Sequence, residues 1–234
     1  NSIVRLGPVL ESLGERKLPH RPPPSVCAFF EHSARAQSDE GVAELLRAVI
    51  DPSSCDAALN ELPVSERDRL MFDAMVRNTC APTLLESGIK RNVIPSEARV
   101  GLSGRSLPGA TKAEFVAEVR EVVGDSVELE MTHPFTSGIE FDHETPLFGA
   151  LTAAMQLFEP AAAVVPFMQT GGTDARFLTD FDLHVYGFIP MLHEPGPGFF
   201  ELCHGHDERV SVSNVTLAVQ VLFEAVRNLN GIDG

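Results

Sequence analysis

The stretch Glu201–Arg209 sets two histidines and several acidic residues around one glycine, between two apolar segments. A neutral imidazole is a good ligand for zinc, and a glycine lets the backbone turn closely past an ion. His204 is therefore a candidate metal ligand, and we interpret His206 as a bystander. The alternative is a solvated loop with two incidental histidines.

A second candidate site is the loop that contains Gly172 and Thr173. Consecutive backbone N–H groups and a threonine hydroxyl can hold an anion. The loop lacks the following lysine and the glycine spacing of nucleotide-binding loops, which argues against a nucleotide. The alternative is a tight turn between a strand and a helix.

Asn92 and Arg105 flank a predicted strand region. A planar guanidinium is a natural bidentate clamp for a carboxylate, so Arg105 is a candidate substrate-binding residue. The alternative is an ordinary surface arginine at a strand end.

The composition limits the possible partners of this chain. Its 234 residues carry a formal net charge of -15, which argues against nucleic acid and anionic membrane surfaces. No apolar run is long enough to span a bilayer, and no signal peptide is evident. The four scattered cysteines favour reduced thiols and a cytoplasmic location. The chain begins at Asn1 and reads as a piece of something longer.

The hydrophobic pattern predicts an α/β protein in two parts. Residues 1–138 read as an opening helix, a helical insertion near 19–76, a hairpin of strands 80–85 and 93–102, a helix with a Thr111/Glu114 capping box, and a strand 127–131. This order is that of a two-layer unit with a helix pair on an antiparallel sheet, lacking one strand. Residues 139–234 read as helix 146–158, buried strands 161–168 and 185–189, and helix 215–229 closed by Gly231.

Five motifs occur in register over residues 78–209. They are Asn92-Val93-Ile94-Pro95, Arg105-Ser106-Leu107-Pro108-Gly109, Gly171-Gly172-Thr173-Asp174-Ala175-Arg176, Tyr186-Gly187-Phe188-Ile189-Pro190 and His204-Gly205-His206-Asp207-Glu208-Arg209. Together they resemble the dinuclear zinc metallopeptidases, a family that includes aminoacylases, glutamate carboxypeptidases and succinyl-diaminopimelate desuccinylases.

The resemblance implies a ferredoxin-like lid, here without its first strand, followed by the C-terminal part of a three-layer catalytic domain. Residues 1–138 would be the lid and 139–234 the catalytic part. His204 would bind one of two zinc ions, with cobalt or manganese as possible replacements. Asn92 and Arg105 would bind the substrate's carboxylate and the developing oxyanion, and Gly172 and Thr173 would line the pocket. The lid would form a homodimer.

The resemblance also implies what this chain lacks. The family's His-x-Asp ligands, bridging aspartate, Glu-Glu pair and lid histidine would all precede Asn1. The expected function is therefore that of a C-terminal fragment, inactive alone, of an enzyme that hydrolyses an amide next to a free carboxylate. Its substrate would be an N-acyl amino acid or a small peptide, and its partner the missing N-terminal part. The alternative is a non-catalytic dimerisation or binding module.

Overall fold

Residues 1–231 are described by the computed structural model, with the backbone alone at Phe200. They form two compact units: a first unit of residues 1–140 with 165–173, and a second unit of residues 141–164 with 174–231. The helices are α1 Ser2–Glu15, α2 Pro24–Arg35, α3 Glu40–Ala48, α4 Cys55–Glu61, α5 Glu66–Val76, α6 Lys112–Val123, α7 Pro146–Phe158, α8 Phe199–Leu202 and α9 Val212–Leu229, and the strands are β1 Thr79–Ser87 and β2 Ala98–Arg105.

The predicted helical insertion is helical, but it contains α2, α3, α4 and α5 where the sequence predicted two helices. Helix α2 starts inside the proline-rich segment, because a proline in the first turn needs no N–H partner and already has the helical φ. The four helices share one core. Its fully buried side chains include Val26, Phe30, Leu59 and Met75.

The hairpin is an antiparallel pair in which Thr79 lies opposite Arg105 and Ser87 opposite Ala98. Helices α1 and α6 share a core with it, through buried side chains that include Leu6, Val9, Phe115 and Val119. The α/β class and the antiparallel hairpin are confirmed. The ferredoxin-like lid stays a prediction.

The predicted hairpin turn at 86–88 is too short. Strand β1 continues to Ser87 and β2 starts only at Ala98, so a ten-residue connection replaces it. Pro95 lies in this connection and lacks the N–H group that a strand ladder needs. The sequence pattern of Val93-Ile94 was apolar, yet their side chains are 48% and 75% exposed.

The strand predictions at 127–131, 161–168 and 185–189 are wrong for the described residues, where each segment lacks a strand assignment. In segment 127–131 the side chains still alternate in burial: Val127 and Leu129 pack on the core of α1 and α6, while Glu128 and Glu130 are exposed. Apolar alternation gives an extended chain, but a strand also needs a hydrogen-bonded neighbour. Segment 161–168 was expected to be buried on both faces, and Phe167 is 41% exposed.

The helix ends follow local chemistry. Thr111 and Glu114 form the predicted capping box at the start of α6, and Gly124 ends that helix. The Thr111 N–H and hydroxyl hydrogen bonds hold the pKa of Glu114 below its ordinary value. Helix α1 runs past Gly14 to Glu15 and tolerates Pro8, so the predicted stop is one residue early.

In the second unit, α7 packs against α9 through a small core that includes Leu151, Ala154 and Val221. Thr145 caps α7 by accepting the N–H of Phe148, with Pro146 at the first helical position as predicted. Helix α9 begins at Val212, earlier than predicted, because Ser211 accepts the N–H of Asn214 there. None of the helices between residues 1 and 231 has both the length and the apolar character needed to cross a bilayer.

Candidate functional site

Arg105 is the last residue of β2, and its exposed side chain extends towards the loop at residues 170–173 of the same unit. Its Nη1 donates a hydrogen bond to the Thr170 carbonyl oxygen at 3.3 Å. Thr170 directly precedes Gly171-Gly172-Thr173. The structure therefore brings Arg105 to the loop that contains Gly172 and Thr173.

Open space lies beside Gly172. A Cβ atom placed on this residue would meet no other atom within 4 Å, and one on Gly171 would meet only the side chain of Gln169, at 3.5 Å. Gly172 and Thr173 are both exposed. A ligand beside this loop would have access to backbone and to the remaining N–H groups of the Arg105 guanidinium, which carries five.

Asn92 does not join this group. It lies in the connection between Ser87 and Ala98, whereas Arg105 lies at the other end of β2, opposite Thr79. Seven residue steps of about 3.3 Å put the two ends of β2 about 23 Å apart. The strand register thus sets Arg105 at the opposite end of β2 from the connection that contains Asn92.

His204 lies in the second unit on an exposed turn after α8. Its backbone has φ of 61°, a left-handed value that histidine adopts more readily than most residues. Its N–H donates to Glu208 Oε2 at 3.2 Å, so Glu208 fixes the backbone of His204 rather than its imidazole ring. Glycine is favoured at position 205, because a Cβ there would lie 3.0 Å from the Leu202 carbonyl oxygen, a tight contact.

A metal centre needs several ligand side chains close together. Within residues 1–231, no three His, Cys, Asp or Glu side chains are grouped so that they could hold a metal ion. His204 is presented to solvent, with His206 and Asp207 also exposed. The described residues therefore do not by themselves fit a metal centre.

Two buried or partly buried polar residues were not among the predicted site residues. Asn78 precedes β1 and hydrogen bonds to both α6 and the loop after Arg105. Tyr186, the single tyrosine, bonds through its hydroxyl to Thr145 Oγ1 at 2.7 Å and to the Asp142 carbonyl oxygen. Tyr186 belongs to a motif that the sequence analysis identified, Tyr186-Gly187-Phe188. No motif in the sequence indicated that Asn78 would be buried and hydrogen bonded.

Comparison with known proteins identifies the family. The family model described as "Peptidase family M20/M25/M40" matches residues 20–228, so the chain belongs to this family. The predicted resemblance to aminoacylases, carboxypeptidases and desuccinylases is confirmed.

Three curated relatives illustrate the range of this family. The chain is 29% identical to human N-fatty-acyl-amino acid synthase/hydrolase PM20D1, over 68% of this chain and 32% of that protein. It is 27% identical to probable carboxypeptidase S-like 2 of Dictyostelium discoideum, over 67% and 30%. It is 29% identical to a putative succinyl-diaminopimelate desuccinylase DapE of Mycobacterium tuberculosis, over 85% and 50%.

The chain spans about a third of the length of the first two relatives and half of the third. No solved structure matches it.

Proposed function

We propose that this chain is part of a metal-dependent hydrolase that cleaves an amide bond next to a free carboxylate. The main support for this proposal is the hydrogen bond from Arg105 to Thr170. It places a guanidinium beside the Gly171–Thr173 loop in a chain of this peptidase family. The substrate would be an N-acyl amino acid or the C-terminal residue of a small peptide. Names of relatives point the same way, since N-fatty-acyl-amino acids and carboxypeptidase substrates end in a carboxylate.

Arg105 has the chemistry for this role. One Nη1–H bond goes to Thr170, and the guanidinium keeps further N–H groups that can form paired hydrogen bonds with a carboxylate. The open space beside Gly172 lets a substrate approach the backbone closely, and Thr173 is the next residue of the same exposed loop. In this proposal Arg105, Gly172 and Thr173 bind substrate.

His204 would be one zinc ligand of the intact enzyme, with the other ligands and the general base supplied by a further N-terminal part of the protein. This chain alone would then be inactive. The relatives are two to three times as long as their matched regions, which supports a further part. Helix α9 also supports a further part of the protein, because an exposed apolar surface of this kind marks a contact site. The exposed apolar residues of α9 are Val212, Val215, Val219, Leu222, Phe223, Val226 and Leu229.

A homodimer formed through the lid of residues 1–138 belongs to the same proposal, as does a cytoplasmic location. The hairpin offers a surface for the dimer, because Leu84, Leu85, Ile89 and Ile94 are between 62% and 91% exposed. In a dimer, Asn92 of one chain would bind the substrate held by Arg105 of the other. Such a dimer would bring Asn92 and Arg105 to one substrate, although they lie at opposite ends of the hairpin in each chain.

The test is the activity of the full-length, zinc-loaded protein towards an N-acyl amino acid and its uncharged carboxamide. Arg105→Ala should lower kcat/KM for the acid far more than for the amide. Arg99→Ala is the matched control, since this β2 arginine is exposed and forms an ion pair with Glu97, just before β2, at 2.9 Å. If Arg105→Ala and the wild type prefer the acid over the amide by the same ratio of kcat/KM, Arg105 does not bind the substrate's carboxylate.

A non-catalytic dimerisation or binding module is the second candidate. It is favoured by the lack of a three-ligand metal group within residues 1–231. Sequencing of the gene upstream of the codon for Asn1 separates the two. An upstream segment with His-x-Asp and Glu-Glu supports the enzyme, and an initiator methionine directly before Asn1 supports the module.

A further inference from the structure

Asn78 is a buried amide that joins three parts of the first unit. It lies between α5 and β1 and is only 3% exposed. Its Nδ2 donates to Glu118 Oε2 on α6 at 2.6 Å, and its Oδ1 accepts the Leu107 N–H at 2.7 Å. Leu107 is itself buried and lies two residues after Arg105.

The chemistry of these partners fixes the orientation of the amide. An ionised carboxylate can only accept and a backbone N–H can only donate, so a flipped Asn78 would lose both hydrogen bonds. Glu118 is itself largely buried, with a side chain that is 13% exposed, and its Oε1 lies 3.9 Å from Arg21 Nη2. Asn78 thus connects a largely buried carboxylate to the backbone just after β2.

The segment after Arg105 also contacts the backbone of residues 136–138. Ser106 Oγ donates to the Thr136 carbonyl oxygen at 3.1 Å, and Pro108 forms an isolated bridge with Gly138. A Cβ on Gly138 would lie 2.7 Å from the Pro108 nitrogen and 2.8 Å from the Ser106 carbonyl oxygen. The segment that follows Arg105 is therefore clamped by contacts with both Asn78 and the 136–138 backbone.

The strand register completes the connection to the site. Asn78 directly precedes Thr79, the residue of β1 that lies opposite Arg105. We propose that Asn78, oriented by Glu118, is the positioning residue that aims the Arg105 guanidinium at the carboxylate site beside Gly172. This inference rests on the proposed function of Arg105 and adds a residue that determines its specificity.

The experiment measures carboxylate preference, the ratio of kcat/KM for an N-acyl amino acid to that for its carboxamide, in the full-length, zinc-loaded protein. Asn78→Ala should lower this ratio about tenfold or more through KM, because small misplacements of a positioning group are costly. The control is Asn214→Ala. Asn214 is also a buried asparagine, 6% exposed, whose amide bonds to both the N–H and the carbonyl of Leu192 in the second unit.

A purely structural role would lower the melting temperature of both variants and leave the ratio unchanged in both, which would overturn the inference. An unchanged ratio in Asn78→Ala beside a lowered ratio in Arg105→Ala would also overturn it, while leaving the proposed function intact. An unchanged ratio in Arg105→Ala itself would show that the proposed function has failed, and the inference with it.

If Asn78→Ala does not fold, a pair of compensating substitutions at positions 78 and 118 provides a second test. Asn78→Asp sets two carboxylates against each other at the Glu118 contact and should lose the preference. Adding Glu118→Gln supplies an amide donor to the new carboxylate, while Asp at position 78 still accepts the Leu107 N–H. Recovery of the ratio in the double variant supports positioning by this pair, and no recovery in a folded double variant overturns it.

Discussion

Asn92 and Arg105 lie at opposite ends of one hairpin: Arg105 faces Thr79 in the β1–β2 register, and Asn92 lies beyond the Ser87–Ala98 pair. The strand between them spans about 23 Å at about 3.3 Å per residue, much more than a small substrate can bridge. If both residues bind substrate, each chain of a dimer contributes one of them to a given site.

Mixed dimers test this arrangement. Asn92→Ala and Arg105→Ala homodimers should both have low activity, and a mixed dimer should regain one intact site from the unmutated residue of each chain. The measurement is activity after the two full-length variants are co-expressed and the tandem-tagged mixed dimer is isolated. If both residues served the site of their own chain, the mixed dimer would stay as inactive as its parents.

Gly138 and Gly149 should respond to alanine with opposite signs. Gly138→Ala should cost about 1–3 kcal/mol in the free energy of unfolding, because the new methyl would press on backbone atoms of Ser106 and Pro108. Gly149 is an exposed residue of α7 with no atom within 4 Å of a Cβ, so Gly149→Ala should stabilise by about 0.5–1 kcal/mol. Urea unfolding of both variants measures the two changes, and a stabilised Gly138→Ala would contradict the clamp around Ser106 and Pro108.

A charged network around buried Arg77 should make stability acid-sensitive. Arg77 Nη2 lies 2.8 Å from Asp56 Oδ1, and Lys17 Nζ lies 2.9 Å from the same oxygen. Arg77 Nε is also 3.0 Å from Asp73 Oδ1, although without the alignment of a hydrogen bond. The Lys17 hydrogen bond, opposed in part by burial and aided by Arg77, holds the pKa of Asp56 below its ordinary value.

A lowered folded-state pKa stabilises the protein above the unfolded pKa of about 3.9 and loses that contribution as the pH falls through the folded value. Asp56→Asn should therefore lower the melting temperature at neutral pH and weaken its fall below about pH 4. Melting curves across this pH range measure the effect. Asp125→Asn, an exposed residue outside the network, is the control and should follow the wild type.

The two histidines of the 201–209 stretch should differ in metal binding. In the full-length protein, His204→Ala is expected to bind less zinc, whereas His206→Ala should match the wild type, because only His204 is proposed as a ligand. Metal content after dialysis, measured by elemental analysis, distinguishes the variants. Equal zinc content in His204→Ala and the wild type would remove His204 from the metal site.

Local chemistry let the sequence predict several elements without tertiary information. Thr111 with Glu114, Thr145 with Pro146 and the glycine at 124 mark helix ends because each satisfies or replaces backbone groups within its own turn. The hairpin was predictable for a similar reason, since its two strands are close in sequence. The motifs around Arg105, Gly172 and His204 likewise pointed to the peptidase family that the comparisons confirmed.

Tertiary structure decided what depends on distant neighbours. The extended segments 127–131, 161–168 and 185–189 have strand-like sequences, but alternation alone cannot supply the second strand of a ladder. The register of β1 with β2 placed Arg105 at the far end of the hairpin from Asn92, although the family resemblance had implied that both residues bind the substrate. The burial of Asn78 between Glu118 and Leu107 arises from residues 29 and 40 positions away, because a buried amide is satisfied by whichever groups the fold brings to it.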